Sequence, residues 1–138
     1  VNKAKEAGYI MSCMVILGLG GKKYSKDHIK GTAEVISACS PHYVGALTLY
    51  LENGIKQEFI DKYEGEFVRI NDDEGLEELY ELVNQINTKE EIVFRVNHGS
   101  NAYTVKGTFP QDKQEMLEKV EWMKDHPEIV RPQGIRGF

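Results

Sequence analysis

An almost continuous apolar run that ends in a glycine-rich turn is the feature that most constrains the fold of this chain. Residues 9–19 read YIMSCMVILGL, and Gly18, Gly20 and Gly21 lie at or just beyond the end of the run. Continuous rather than alternating apolar residues are typical of a parallel strand that is covered on both faces. Glycines at the carboxyl end of such a strand allow a ligand to approach the backbone closely. We therefore expect a parallel α/β sheet with a candidate binding turn at this position.

The residues after the turn predict a helix and a second strand. Ser25 is a typical N-cap residue, and apolar residues keep helical spacing from there until Ser40. Residues 43–51 then predict a strand that ends at the turn signal Asn53-Gly54. Two parallel strands joined by one helix are expected.

The second half of the chain mixes helices with short extended segments. In the helix predicted to start at Asp72, Leu79 and Val83 share an apolar stripe, and the acidic residues around them predict a helix lying at the surface. Glu77, Glu78 and Glu81 are interpreted as its solvated face. The other predicted elements are a helix at 57–63, strands at 91–96 and 103–108, and a helix opened by Pro110.

The start of the chain favours one of two architectures. Residues 1–7 read as the last turns of a helix that closes on Gly8, without an N-cap of its own, so the chain is expected to begin within an element. Alternating helices and strands indicate a parallel sheet, but two parallel strands are too few to bury both faces. The order favours the last part of a barrel over an open domain with few strands.

Composition excludes several classes of protein. The 22 Asp and Glu residues outnumber the 17 Lys and Arg residues, and the net charge of -5 argues against nucleic-acid binding by bulk charge. No apolar run approaches the length of a membrane span, which is about 18 residues or more. Cys13 and Cys39 are not arranged as a Cys-x-x-Cys pair, which predicts reduced thiols in a cytoplasmic protein and no metal site within this chain.

The glycine turn does not match the common phosphate-binding motifs. Position 23 is Lys where a dinucleotide fingerprint needs Gly, and no Gly-Lys-Ser/Thr follows at P-loop spacing. From spacing alone, two interpretations stay open: a ligand-binding turn, and a turn that only makes room for the next helix.

Ordered blocks along nearly the whole chain resemble the carboxyl-terminal part of bacterial radical S-adenosylmethionine proteins of the iron–sulfur oxidoreductase group. The blocks are residues 15–21 (VILGLGG), Ser25, His28, Thr32-Ala33, 47–49 (LTL), 65–67 (GEF), 97–103 (NHGSNAY), Gly107, Asp112-Lys113 and Arg131-Pro132. The resemblance implies the last two strands of a partial (β/α)6 TIM-like barrel, followed by an α+β extension. It implies a boundary between a barrel unit, residues 1–63, and an extension, residues 64–138.

The resemblance also implies a cofactor site and the chemistry of the whole protein. Gly18, Gly20 and Gly21 match the end of the fifth barrel strand, which packs against the adenosine of S-adenosylmethionine, and Leu49 matches the sixth strand, whose backbone meets the adenine. The family's Cys-x-x-x-Cys-x-x-Cys motif, which holds a 4Fe-4S cluster, is absent from this chain. The whole protein would cleave the cofactor reductively to a 5'-deoxyadenosyl radical. This piece alone is expected to hold no cofactor and to be inactive. Residues 52–54 read ENG where the family often has Pro-Gly-Thr, which leaves the substrate open.

His98 and Asn101 are the most polar candidates in the second half of the chain. The histidine could transfer a proton or orient a substrate, since its unperturbed pKa lies near neutrality. The alternative is a turn in which these side chains satisfy backbone groups. Arg131 and Arg136 are candidates for holding an anion, or for an ion pair within the tail.

The expected partners follow from the barrel interpretation. The remaining amino-terminal barrel of the same protein would cover the first strand, and an uncovered strand edge predicts a homodimer. Two other functions stay open. One is a self-contained α/β module that binds a nucleotide or another anion. The other is an interaction domain without a small ligand, whose contact surface would be the amphipathic helix from Glu74 to Ile86, with Leu79 and Val83 on its apolar face.

Overall fold

The computed structural model describes residues 1–136, apart from the side chain of Gln133. Five α-helices and four strands occur in these residues, followed by two short 3-10 turns at Pro127–Ile129 and Gln133–Ile135. The helices and strands, in chain order, are α1 (Asn2–Glu6), β1 (Ser12–Leu17), α2 (Gly21–Cys39), β2 (Tyr43–Thr48), α3 (Asn53–Lys62), α4 (Asp72–Gln85), β3 (Ile92–Val96), β4 (Val105–Phe109) and α5 (Lys113–Lys124).

The four strands form one mixed sheet in the order β1-β2-β3-β4. β1 pairs in parallel with β2, and β2 pairs in parallel with β3, whereas β4 runs antiparallel to β3. The prediction of an α/β chain in which α2 joins two parallel strands is therefore confirmed. Within the described residues, the outer edge of β1 has no strand partner.

The sheet joins the two halves of the chain. The boundary expected between residues 63 and 64 falls between α3 and α4, and the last two residues of the second unit lie outside the described part. β3, from the second half, is hydrogen-bonded to β2, from the first. The hydrophobic core contains buried residues from both halves, including Ile36 of α2 and Leu82 of α4.

Only one face of the sheet is covered by helices within residues 1–136. Val44 and Phe94, which are paired in register, point into the core, where α4 contacts both α2 and α5. On the opposite face Met14 is 58% exposed and Tyr43 is 47% exposed. The expectation that β1 is covered on both faces is therefore wrong for this part of the chain. Its apolar residues on the second face are in contact with solvent.

α4 is a central helix of the covering layer rather than a surface helix. It packs against α2 on one side and against α5 on the other. Leu79 and Val83 are completely buried, so the hypothesis that they form a contact surface for a partner is wrong. Glu78 is 3% exposed, which also overturns its assignment to a solvated face. Three helices share the layer, and α4 is therefore left with only a narrow strip that reaches solvent.

Three helices start at residues other than those predicted. α2 begins at Gly21 rather than at Ser25, and α3 begins at Asn53, which was expected to be a turn. α5 begins at Lys113, because Asp112 Oδ2 accepts a hydrogen bond from the Thr108 N–H at 2.8 Å and so belongs to the turn after β4. Pro110 lies within that turn and does not open the helix.

Within the described part of the chain, none of the helices has the length and apolarity that crossing a membrane requires.

Candidate functional site at the carboxyl edge of the sheet

A cavity of about 330 Å³ lies where β1 and β2 end. Its apolar wall includes Leu17 and Leu49, and three of its polar side chains come from the segment that leads into α4. Carboxyl ends of parallel strands meet at one edge of a sheet, which is why residues from distant parts of the chain share this cavity. The lining residues are Leu17, Gly18, Thr48, Leu49, Arg69, Ile70, Asn71, Asp72, Gly75 and Tyr103.

Gly18 forms the floor of the cavity at the end of β1. Its φ of +84° is one that residues with a side chain rarely adopt. The Gly18 N–H donates to Glu78 Oε2 at 2.6 Å, and the Ser25 hydroxyl donates to Glu78 Oε1 at the same distance. One buried carboxylate on α4 thus connects the glycine turn to the first turns of α2.

Gly20 and Gly21 contact the chain itself rather than the cavity. A Cβ at Gly21 would lie 3.0 Å from the ring of Phe67 and from the carbonyl oxygen of Val68. The Gly20 carbonyl accepts a hydrogen bond from the Tyr63 hydroxyl at 2.7 Å. Gly21 makes room for the segment that follows α3, and a Cβ at Gly20 would lie 2.7 Å from the carbonyl oxygen of Tyr24, whereas Gly18 lines the cavity.

Leu49 lies beside Gly18, as expected of two neighbouring parallel strands. The Leu49 N–H donates to the Leu17 carbonyl at 2.9 Å, and its own carbonyl accepts from the Arg69 guanidinium at 3.0 Å. The N–H is therefore occupied within the chain, and the carbonyl retains one lone pair for a ligand.

The loop that contains His98 and Asn101 closes against β2. The Asn101 side chain is completely buried, where it donates to the Ala46 carbonyl at 2.8 Å and accepts from the Thr48 hydroxyl at 3.0 Å. His98 is exposed, and its Nδ1 lies 2.9 Å from the Ser100 hydroxyl and 3.2 Å from the Ser100 N–H. Asn101 therefore fixes the loop to β2, while His98 organises the turn; neither residue lines the cavity.

We expect Asn101→Ala to lower the free energy of unfolding by about 2–3 kcal/mol, because it leaves a buried carbonyl and a hydroxyl without their partner. His98→Ala should cost less than about 1 kcal/mol, since the ring is exposed. Urea denaturation of both variants measures this contrast. A larger loss for His98→Ala than for Asn101→Ala would contradict these roles.

Asp72 and Arg136 form a partly buried ion pair at the rim of the cavity. The guanidinium donates to both carboxylate oxygens, at 2.9 and 2.7 Å, and its Nε donates to the Arg131 carbonyl at 2.8 Å. The two interpretations of Arg136 are thus resolved in favour of the ion pair within the protein. Asp72 and Arg136 are 64 positions apart, and no pattern in the sequence predicts that they pair.

Tyr103 is a polar lining residue of the cavity that was not predicted from the sequence as a site residue. It is 6% exposed, and burial raises its pKa well above the ordinary value, with smaller contributions from Asp72 and Glu78. The phenol is therefore neutral at physiological pH and retains its proton for donation to an acceptor.

Among residues 1–136, no three His, Cys, Asp or Glu side chains come close enough to hold a metal ion. Comparisons of the chain with protein-family models, with curated proteins and with solved structures found no match.

Proposed function

We propose that this chain is the carboxyl-terminal part of a radical S-adenosylmethionine enzyme and supplies part of the cofactor pocket. The observation that carries the proposal is the cavity that Gly18 and Leu49 share at the carboxyl edge of β1 and β2. These two residues stand in the sequence blocks that resemble the adenosine-contacting strands of that family. The α/β order of the first half of the chain agrees with two consecutive units of a barrel.

The open face and free edge of the sheet support the same proposal. β1 has no neighbour on its outer edge within residues 1–136, and Met14 on the open face is largely exposed. An unpaired edge with apolar residues beside it favours association with further strands. We propose that the preceding barrel strands of the same protein cover this edge, and that a second copy of the chain covers it when those strands are absent.

The residues of the cavity fit the nucleoside part of S-adenosylmethionine. Leu17 and Leu49 offer an apolar wall for a base, and Tyr103 lines the same cavity with a hydroxyl that makes no hydrogen bond to the described residues. The three cysteines that hold a 4Fe-4S cluster would lie in the barrel outside this chain, which contains only Cys13 and Cys39. When bound at such a cluster, the cofactor supplies the 5'-deoxyadenosyl radical that abstracts hydrogen from a substrate.

The role of this chain is to bind and orient. Glu78 holds the backbone of Gly18 in its unusual conformation, and Asn101 fixes the loop over the end of β2. The protein would be cytoplasmic, where its thiols and cluster are protected from oxidation.

Anaerobic iron–sulfur reconstitution tests this proposal on two proteins, the gene product that contains this chain and the chain of 138 residues by itself. We expect a cluster and 5'-deoxyadenosine, formed from S-adenosylmethionine and dithionite, only with the longer protein. A variant of the longer protein with its cluster cysteines replaced by alanine provides the control.

Two results would contradict the proposal. If the longer protein forms neither cluster nor 5'-deoxyadenosine, the assignment to this family fails. If this chain alone binds a nucleotide or an inorganic anion with micromolar affinity, the self-contained binding module explains the cavity better.

A further inference from the structure

The Tyr103 hydroxyl differs from other polar groups near the cavity because it makes no hydrogen bond to residues 1–136. Ser100 and Asn101, its neighbours in the loop, are buried and hydrogen-bonded. The phenol is more than nine-tenths buried and lines the cavity, yet its oxygen makes no hydrogen bond to any residue from 1 to 136. The oxygen is not among the fully buried unpaired atoms of the described residues, so it is reachable from the cavity and can pair there with water or a ligand.

The packing around the ring directs the hydroxyl toward the first turn of α4. A Cβ added to Gly75 would lie 2.7 Å from the Tyr103 oxygen, so only glycine leaves room for the phenol. Glycine destabilises a helix relative to alanine. Its presence at the fourth position of α4 therefore indicates that the space beside the Tyr103 hydroxyl must stay free of a side chain.

The groups that surround the hydroxyl leave it free to bind a ligand. Both oxygens of Asp72 accept hydrogen bonds from Arg136, and both oxygens of Glu78 are bonded to Gly18 and Ser25. These carboxylates already have partners, and they lower the electrostatic potential at the phenol, which favours its neutral form. A neutral phenol both donates and accepts one hydrogen bond.

We infer that the Tyr103 hydroxyl hydrogen-bonds the nucleoside part of the ligand held in this cavity. The inference rests on the proposed function and adds to it the residue that recognises the polar edge of the nucleoside. The base would contact the apolar wall formed by Leu17 and Leu49, and a ring nitrogen or a ribose hydroxyl would pair with the phenol. Gly75, which has no side chain, would leave the space that the phenol oxygen occupies.

Nuclear magnetic resonance titrations of the isotope-labelled chain test this inference. The isolated chain contains too little of the pocket to retain the cofactor, but S-adenosylmethionine added at millimolar concentration should bind weakly and shift the amide signals of Gly18 and Leu49. Methionine, which lacks the nucleoside, should leave these signals unchanged. Tyr103→Phe should weaken binding about three- to tenfold, which corresponds to one neutral hydrogen bond.

Tyr80→Phe is the matched control, since it removes a phenol oxygen from α4 outside the cavity. It should leave the affinity unchanged. The melting temperature of Tyr103→Phe should equal that of the wild type, because no hydrogen bond within the described protein is lost. An unchanged melting temperature together with weaker binding would show that the hydroxyl contributes to ligand binding and not to the stability of the fold.

Each outcome of the titrations is decisive. Equal affinities for Tyr103→Phe and the wild type would overturn the inference and leave the proposed function intact. If S-adenosylmethionine does not shift Gly18 and Leu49 in the wild type, or if methionine shifts them equally, the nucleoside assignment fails and the inference fails with it. In the first case the longer protein would still produce 5'-deoxyadenosine, so the two failures are distinguishable.

Discussion

Leu79→Asp should unfold the domain under conditions where the wild-type chain is folded. Leu79 is completely buried in the helix that contacts both α2 and α5. The substitution removes apolar contacts and buries a carboxylate without a partner, which together cost about 4 kcal/mol or more. A domain of this size has a total stability of about 5–15 kcal/mol. Circular dichroism during thermal and urea unfolding measures the loss.

Val35→Asp provides the matched control for this prediction. Val35 lies on α2 and is 65% exposed, so the same type of substitution should change the free energy of unfolding by about 0.5 kcal/mol or less. A folded Leu79→Asp variant that only fails to bind a partner would contradict the packing of α4. It would restore the hypothesis that this face is a contact surface.

The elements that could be predicted from the sequence are those whose signals are local. The apolar run before Gly18 predicted β1, and the helical spacing of Leu79 and Val83 predicted the apolar stripe of α4. Whether that stripe lies at the surface or in the middle of a layer depends on its neighbours. The periodicity of apolar residues predicts which side of a helix is apolar. It does not predict how many other helices pack against that helix.

The candidate site could be predicted only where topology alone brings residues together. Gly18 and Leu49 follow neighbouring parallel strands, and the rule for strand ends is sufficient to place them side by side. Tyr103 and Gly75 come from the loop before β4 and from α4, and their contact depends on the packing of the whole second half. No spacing in the sequence relates them.

The helix boundaries were missed for a similar physical reason. Ser25 has the chemistry of an N-cap, but its hydroxyl is bonded to Glu78, which is 53 residues away. The sequence around Ser25 gives no indication of this distant acceptor. The role of the Ser25 hydroxyl therefore could not be predicted from its neighbours in the chain. The local preference for a cap is about 1 kcal/mol, which a buried charge-assisted hydrogen bond exceeds.

Glu78→Ala should lower the free energy of unfolding by about 3 kcal/mol and should alter the conformation of the glycine turn. The substitution leaves the Gly18 N–H and the Ser25 hydroxyl without their acceptor inside the protein. Charge-assisted hydrogen bonds of this kind contribute about 1.5–3 kcal/mol each. Urea denaturation measures the stability, and the amide signal of Gly18 reports on the turn.

Two further variants separate the carboxylate from the rest of the side chain. Glu78→Gln keeps one acceptor for the Gly18 N–H and offers an amide donor to the Ser25 oxygen, so it should lose about half as much stability as Glu78→Ala. Glu77→Ala, one residue earlier on α4, removes only a surface ion pair with Lys124 and should cost less than about 1 kcal/mol. If Glu77→Ala and Glu78→Ala were equally stable, the carboxylate of Glu78 would not hold the turn, and the conformation of Gly18 would depend on its packing against Ile70 and Leu49 instead.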